Sequence, residues 1–393
     1  MDSALAIRGS ASALAAFVAA GWASNAMPCA TTIRSWMMRL GLYALTRPVD
    51  RTVPRVWFID HTIQIGALKL LVILGCPLSQ VPFGERALTM KDLSLVALVP
   101  MEKSTGDLVE RELEIAALRV GRPVQMISDL GSDLQKGIRG YRDVRPGIAQ
   151  VADVAHEGAN LLRHAWEGDA RWVEFVAKLE ETSSKLRQSK DAYMKAPRLR
   201  LTSRFMNIGT QMRFAQKVME LLDSEKPSEK TLKHYGWMRD FRTDLMNWFR
   251  EHGMVASTEA LLRVEGLHQD SLEAVRGSWS ELGASARSLQ VAVGLLDYVL
   301  KYSPTEPGVR YVASTEVLES SIGKWKRIEG PSSQDGITGL SLVMGAAMGS
   351  WSDLEIIQAL EAVPEKKVEN WVDRALGKTV QWLRRQFLGG NDA

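Results

Sequence analysis

The chain has 393 residues, 46% of them hydrophobic and 24% charged, with a formal net charge of +3. That length allows two or three domains and a sizeable core, and the balance is that of a globular protein rather than a disordered or fibrous one. The two cysteines, Cys29 and Cys76, exclude a disulfide framework and match no metal-binding spacing, and no run reaches the roughly 18 apolar residues of a membrane span.

The N-terminal "ALAAFVAAGWASNA" has the apolar character of a secretion signal, but Asp2 is acidic and Arg8 is the only early positive charge. A reducing cytoplasmic setting, with nucleoid association, is the expectation. Residues 10–20 and 31–45 are predicted helices, with Gly21 and Pro28 punctuating the stretch between them. In the second, Ile33, Met37, Leu40 and Tyr43 recur at helical spacing while Arg34 and Arg39 lie off that face. A short helix, a turn and a basic helix have the outline of a helix-turn-helix, so residues 1–50 are read as a helical DNA-binding region, with Arg34 and Arg39 as DNA contacts. "TRPVDRTVPR" reads as a linker.

From Val56 the pattern changes. Segments 56–62, 68–74 and 93–99 are short, apolar and rich in Val, Ile and Leu, as strands are. An amphipathic helix over about 106–120 ends at Gly121 and Pro123. "VQMISD" is a fourth strand ending in Asp129, a helix begins at "GSDLQKGIRGY", and "GIAQVADVAH" is a fifth strand ending near Asp153. Three antiparallel strands followed by strand–helix crossovers imply a mixed five-stranded α/β sheet. Residues 166–300 read as almost wholly helical, "YSPTEPG" breaks the pattern, 311–327 begins a new helix, and 335–387 is helical again. The predicted organisation is therefore a helical region 1–50, the first part of the sheet domain 51–165, an all-α insertion 166–302, and a return to the core with C-terminal helices over 303–393.

Charge is unevenly spread. Lys185 to Lys217 contains nine basic residues and one acid, Asp191, and residues 1–55 hold six arginines against two aspartates. Such patches suit a polyanion such as DNA, and Arg198, Arg200 and Arg204 are the candidate contacts in the helical region. The 12 tryptophans are many. Trp237, Trp248 and Trp325 lie near basic residues, and an exposed one would stack on an unpaired base.

The segment "VPRVWFIDHTIQIGALKLLVILG" sets the chemical question. Asp60 interrupts an apolar strand, and a buried carboxylate is costly unless paired, hydrogen-bonded or metal-bound. "WFIDHT" resembles the first-aspartate segment of retroviral integrases and many insertion-sequence transposases, Trp-x-x-Asp-x-Thr. "SDLGSD" resembles their second-aspartate segment, Ser-Asp-x-Gly. "EVLESSIGKWK" resembles the third-carboxylate helix of DDE transposases, with Lys326 seven positions after Glu319 on the same helix face. The resemblance covers roughly residues 55–165 and 311–327. It departs from the integrases in placing 190 residues between Asp129 and Glu319 (319 − 129), as in transposases with a helical insertion before the glutamate.

What the resemblance implies is a ribonuclease H-like sheet, in which the first strand lies beside the fourth and brings Asp60 to Asp129. Glu319 would be the third carboxylate, with Glu316 as its competitor. Three converging carboxylates repel unless cations bind among them, and hard oxygen donors suit Mg²⁺ or Mn²⁺. Asp153 and His156, at the end of the fifth strand, would be an additional ligand and proton carrier or a hydrogen-bonded supporting pair. Lys326 would contact phosphate. The implied activity is that of a DNA transposase, which cleaves strands hydrolytically and transfers a 3′-hydroxyl, acting on transposon ends and target DNA as a homo-oligomer, with no membrane role. Two other readings remain open: an inactive or domesticated transposase-derived DNA-binding protein, and a ribonuclease H-fold nuclease or resolvase that cuts without joining.

Overall fold

The computed structural model describes residues 28–65, 68–129, 131–198, 205–283, 285–329, 337–377 and 387. The predicted helix 10–20 lies outside these residues. The chain divides into two compact units. One comprises residues 1–82, 86–151 and 315–393, and the other residues 83–85 and 152–314.

The first unit is built on five strands: β1 (Arg55–Ile65), β2 (Leu68–Pro77), β3 (Ser94–Met101), β4 (Pro123–Ser128) and β5 (Ala149–Ala152). Their order across the sheet is β3-β2-β1-β4-β5. β1 pairs antiparallel with β2, β2 antiparallel with β3, and β1 parallel with β4. The predicted five strands and the neighbouring of first and fourth are therefore present. The continuous apolar runs explain why these strands are central. Val56 to Ile59 and Leu70 to Leu74 are all fully buried, which requires cover on both faces of the sheet.

One face carries Trp57, Ile59, Leu71, Ile73 and Met126, packed with Val109, Leu113, Leu134, Ile138 and Tyr141. These last come from helices Gly106–Val120 and Ser132–Asp143. The first of these starts where the Thr105 side chain accepts from the Leu108 N–H, the usual saturation of a helix's first amides. It stops at Gly121, whose φ of 89° only glycine adopts freely and where a Cβ would sit 2.1 Å from the Arg51 carbonyl oxygen. The other helices of the unit include Ala30–Thr46, which packs on β3, and Glu316–Glu329, which packs on β1. Gly41 lets the former approach closely: a Cβ there would meet the Leu342 carbonyl oxygen at 1.7 Å.

The C-terminal region contains helices Val343–Ala347, Asp353–Ala362 and Glu365–Ala375. The second opens with a reciprocal cap between Ser352 and Glu355.

The second unit has no strand among its described residues beyond Ala152, the end of β5. Its helices span Val154–Trp166, Ala170–Leu186, Ile208–Leu222, Glu229–Tyr235, Arg242–Glu265, Ser271–Ser278 and Leu289–Tyr302. The helical reading of 166–300 matches, but the division falls at 151/152 and 314/315, not at 165/166 and 302/303. Helix Val154–Trp166 belongs to this unit because its Trp166 enters the aromatic core. There Trp166, Trp172, Phe175, Phe205, Phe241 and Trp248 stack edge-on and tilted, with ring centroids 4.7 Å apart for Trp166 and Trp172 and 5.0 Å for Trp172 and Trp248. Trp248 is fully buried here, and Trp325 is buried in the first unit, so neither offers a stacking platform for a base. Among the described residues no helix is long and apolar enough to cross a membrane.

Candidate functional site

β1 and β4 run parallel with Phe58 opposite Ile127 and Ile59 opposite Ser128. The next pair in that register is Asp60 and Asp129, one residue beyond β4. Adjacent strands lie about 4.8 Å apart, so these two aspartates are neighbours, Asp129 just past the end of β4 and Asp60 in the middle of β1, which runs on to Ile65, beyond its predicted end at 62. Alternation along β1 puts Asp60 on the side of Val56 and Phe58, away from the Trp57–Ile59 core face. The helix Glu316–Glu329 packs against this same strand. The apolar run of β1 thus ends in a half-buried carboxylate.

Local bonds fix both groups. Asp60 Oδ1 accepts from the His61 N–H at 2.6 Å. Asp129 Oδ1 accepts from the Gly131 N–H at 3.0 Å, and its carbonyl accepts from Gln135 Nε2 at 2.8 Å. The second set ties Asp129 to the start of helix Ser132–Asp143. Gly131 is the hinge of this turn: a Cβ at that position would lie 3.0 Å from Asp129 Oδ1 and 3.4 Å from Asp133 Oδ1. Asp129 and Asp133 therefore flank one point, left open by a missing side chain.

A second cluster adjoins. His61 Nδ1 lies 3.7 Å from Asp133 Oδ2, and His61 Nε2 lies 3.0 Å from Ser104 Oγ. Burial holds the His61 imidazole below its ordinary pKa, aided by Lys69 and opposed by Asp133 and Asp129. Burial pushes the Asp133 carboxyl up, but the Ser104 hydroxyl, His61 and the Leu134 N–H together outweigh it and hold the group low. His61 and Asp133 carry a sequence signal, since each stands beside or one turn from a candidate aspartate. Ser104 carries none, because it reaches the site only through the fold.

Glu316 and Glu319 both lie at the solvent-exposed surface of their helix, beside a buried stripe of Leu318, Ile322 and Trp325. Among the described residues no group of three or more His, Cys, Asp and Glu side chains could hold a metal ion. The expected convergence of Asp60, Asp129 and Glu319 into one cage is therefore not formed. What the fold brings together is the pair of aspartates, with the glutamate-bearing helix packed on the same strand. Lys326 lies on that helix, in the portion whose side chains are outside the described residues.

The other candidates fall differently. Asp153 is buried and caps helix Val154–Trp166, accepting from the His156 N–H at 3.1 Å and pairing with His156 Nδ1 at 2.7 Å. That is the supporting-pair geometry weighed for them. Arg39 donates to the carbonyls of Val363 (2.6 Å) and Leu360, so its guanidinium caps the end of helix Asp353–Ala362 instead of projecting toward DNA. Arg34 and Arg198 are exposed. Arg200 and Arg204 lie outside the described residues.

No family model matches the chain. No curated protein matches it by sequence. Among the solved structures similar to it is the Drosophila P element transposase strand transfer complex, at 11% identity and a TM-score of 0.39, over 84% of this chain and 87% of that chain.

Proposed function

We propose that the chain is a DDE-type DNA transposase with a ribonuclease H-like core. The observation that carries this reading is the juxtaposition of Asp60 and Asp129 on neighbouring parallel strands of a β3-β2-β1-β4-β5 sheet, with the motifs "WFIDHT" and "SDLGSD" around them. The substrates are DNA: the ends of a mobile element and a target duplex, bound by a homo-oligomer through exposed basic residues such as Arg34 and Arg198.

The donor set consists of carboxylate oxygens alone and so suits a hard divalent cation, Mg²⁺ or Mn²⁺. Asp60 and Asp129 would hold it, with Glu319 or Glu316 as the third ligand. Such an ion supplies activation of a water or 3′-hydroxyl and neutralisation of the leaving oxygen. The protein's own part is positioning. β1 fixes Asp60 beside the end of β4, and the Gly131 N–H turns one Asp129 oxygen toward the helix start, leaving the other for a ligand.

A second reading is a transposase-derived DNA-binding protein without catalysis. It is favoured by the absence, among the described residues, of a third carboxylate closing the cage. Asp129→Asn tests both. The amide can still accept from Gly131, so folding and DNA binding should persist while Mg²⁺-dependent strand cleavage is lost by at least ~100-fold. Cleavage retained in Asp129→Asn overturns the first reading. Wild-type protein that binds DNA ends but never cuts them supports the second.

A further inference from the structure

The second unit holds a cavity of about 270 Å³ that plays no part in the site above. It is lined by the apolar Ala159, Leu162, Phe205 and Val255 and by the polar Arg213, His252 and Thr210. Gly209 brings the two cation-forming side chains together. A Cβ on Gly209 would lie 3.0 Å from His252 Nε2 and 3.5 Å from an Arg213 Nη, so both groups gather over the first turn of helix Ile208–Leu222. That turn carries no acidic residue. Arg213 also donates to Thr210 Oγ1 at 3.3 Å. The lining carboxylate, Glu259, has partners of its own.

We propose that this cavity is a binding site for a phosphate monoester, its phosphate on Arg213 and His252 and its organic part against Phe205. A guanidinium fork and an imidazole are matched to a phosphate dianion. Burial and the Arg213 charge hold His252 below its ordinary pKa. An anion between the two reverses that influence. The Phe205 ring and the apolar side chains that line the cavity with it give a small planar group a place to lie. The phosphate belongs either to a free small molecule or to a DNA 5′ end, since the chemistry is shared.

The test uses the full chain. The His252 ring is followed by NMR as pH is titrated, identified by its loss in His252→Gln, with inorganic phosphate, phenyl phosphate, or neither. Phenyl phosphate should raise the His252 pKa and bind more tightly than inorganic phosphate. Arg213→Ala should weaken it about tenfold or more, and Gly209→Ala should also weaken it by filling the space beside His252. Lys217→Ala, whose side chain pairs with Glu220 on the surface, is the control and should change nothing. Two further arms compare an oligonucleotide carrying a 5′-phosphate with its 5′-hydroxyl form. Tighter binding of the phosphorylated oligonucleotide, lost in Arg213→Ala, assigns the site to DNA ends; equal binding of the two, with phenyl phosphate still bound, assigns it to a free ligand. A His252 titration unmoved by both phosphates, or Arg213→Ala binding phenyl phosphate like wild type, overturns the proposal. These outcomes do not depend on the Asp60–Asp129 site.

Discussion

The two units solve the problem of a stable interior in opposite ways. The first buries aliphatic strands between helices, and its pair of candidate carboxylates sits where β4 ends beside β1, at Asp129 and Asp60. The second has no sheet of its own and packs six large aromatic rings, with a charge inside them. Glu251 is fully buried, accepts from Trp166 Nε1, and lies 3.6 Å from Arg287 Nε. Arg287 also pairs with Asp169 and approaches Asp244. A sheet holds its side chains in place through backbone hydrogen bonds, so it can hold two carboxylates side by side on neighbouring strands. A helical cluster has no such cross-links, and its geometry is set by ring packing and a buried ion network.

The largest expected effect tests the aromatic side of this contrast. Trp248→Ala should destabilise the second unit by about 3–5 kcal/mol through the cavity it leaves. Hydrogen exchange should accelerate in helix Arg242–Glu265 while β1 amides keep their protection. Equal loss in both would mean that the two units unfold as one.

Gly41→Ala probes the first unit at about 3 kcal/mol, because the new methyl meets a backbone oxygen and cannot be relieved by a side-chain rotation. Chemical denaturation should show the loss, with β1 and β3 amides the first to lose protection.

The buried charge comes next. Arg287→Ala should cost about 2 kcal/mol, somewhat less than a fully buried pair because Arg287 is partly exposed, and adding Glu251→Gln should recover part of it. Burial raises the Glu251 carboxyl above its ordinary value of 4.5. The folded state therefore holds this proton more tightly than the unfolded state, and its stability falls as pH rises from 4.5 through the folded pKa. Glu251→Gln lacks that dependence, so its stability relative to wild type should increase with pH over the same range. A constant difference across that range would contradict the raised pKa.

The smallest stability effect carries the sharpest functional contrast. Gly131 has φ −56°, so alanine fits the backbone and Gly131→Ala should change stability by less than about 1 kcal/mol. Its methyl would nevertheless press on Asp129 and Asp133. DNA cleavage should fall well below wild type at unchanged melting temperature. Undiminished cleavage would separate this turn from the site.

Much of the first unit was legible. The helix 106–120 was ended by Gly121 and Pro123, and β1, β2 and β4 announced themselves as apolar runs too short for helices. β5 was placed, but its end was read one residue late, because Asp153 looks like strand in sequence and acts as a helix cap. Arg39 was read as a DNA contact from its position off the apolar face. Its role as a cap for Leu360 and Val363 depends on a helix more than 300 residues away, which no local pattern reports. Trp248 and Trp325 are buried despite their basic neighbours in sequence, which say nothing about burial.

By itself, then, the sequence determined which of the described segments are strands and which are helices, and that one aspartate interrupts the first apolar strand while another follows the fourth. Those facts follow from periodicity and side-chain chemistry within a few residues. The neighbouring of β1 and β4 was already implied by the resemblance, whereas only the tertiary structure decided that Ser104 joins His61 and Asp133, and that Glu319 stays at the helix surface while its neighbours turn inward. Pairings across tens or hundreds of residues are selected by burial of the whole sheet and helix set, and that selection is a property of no single segment.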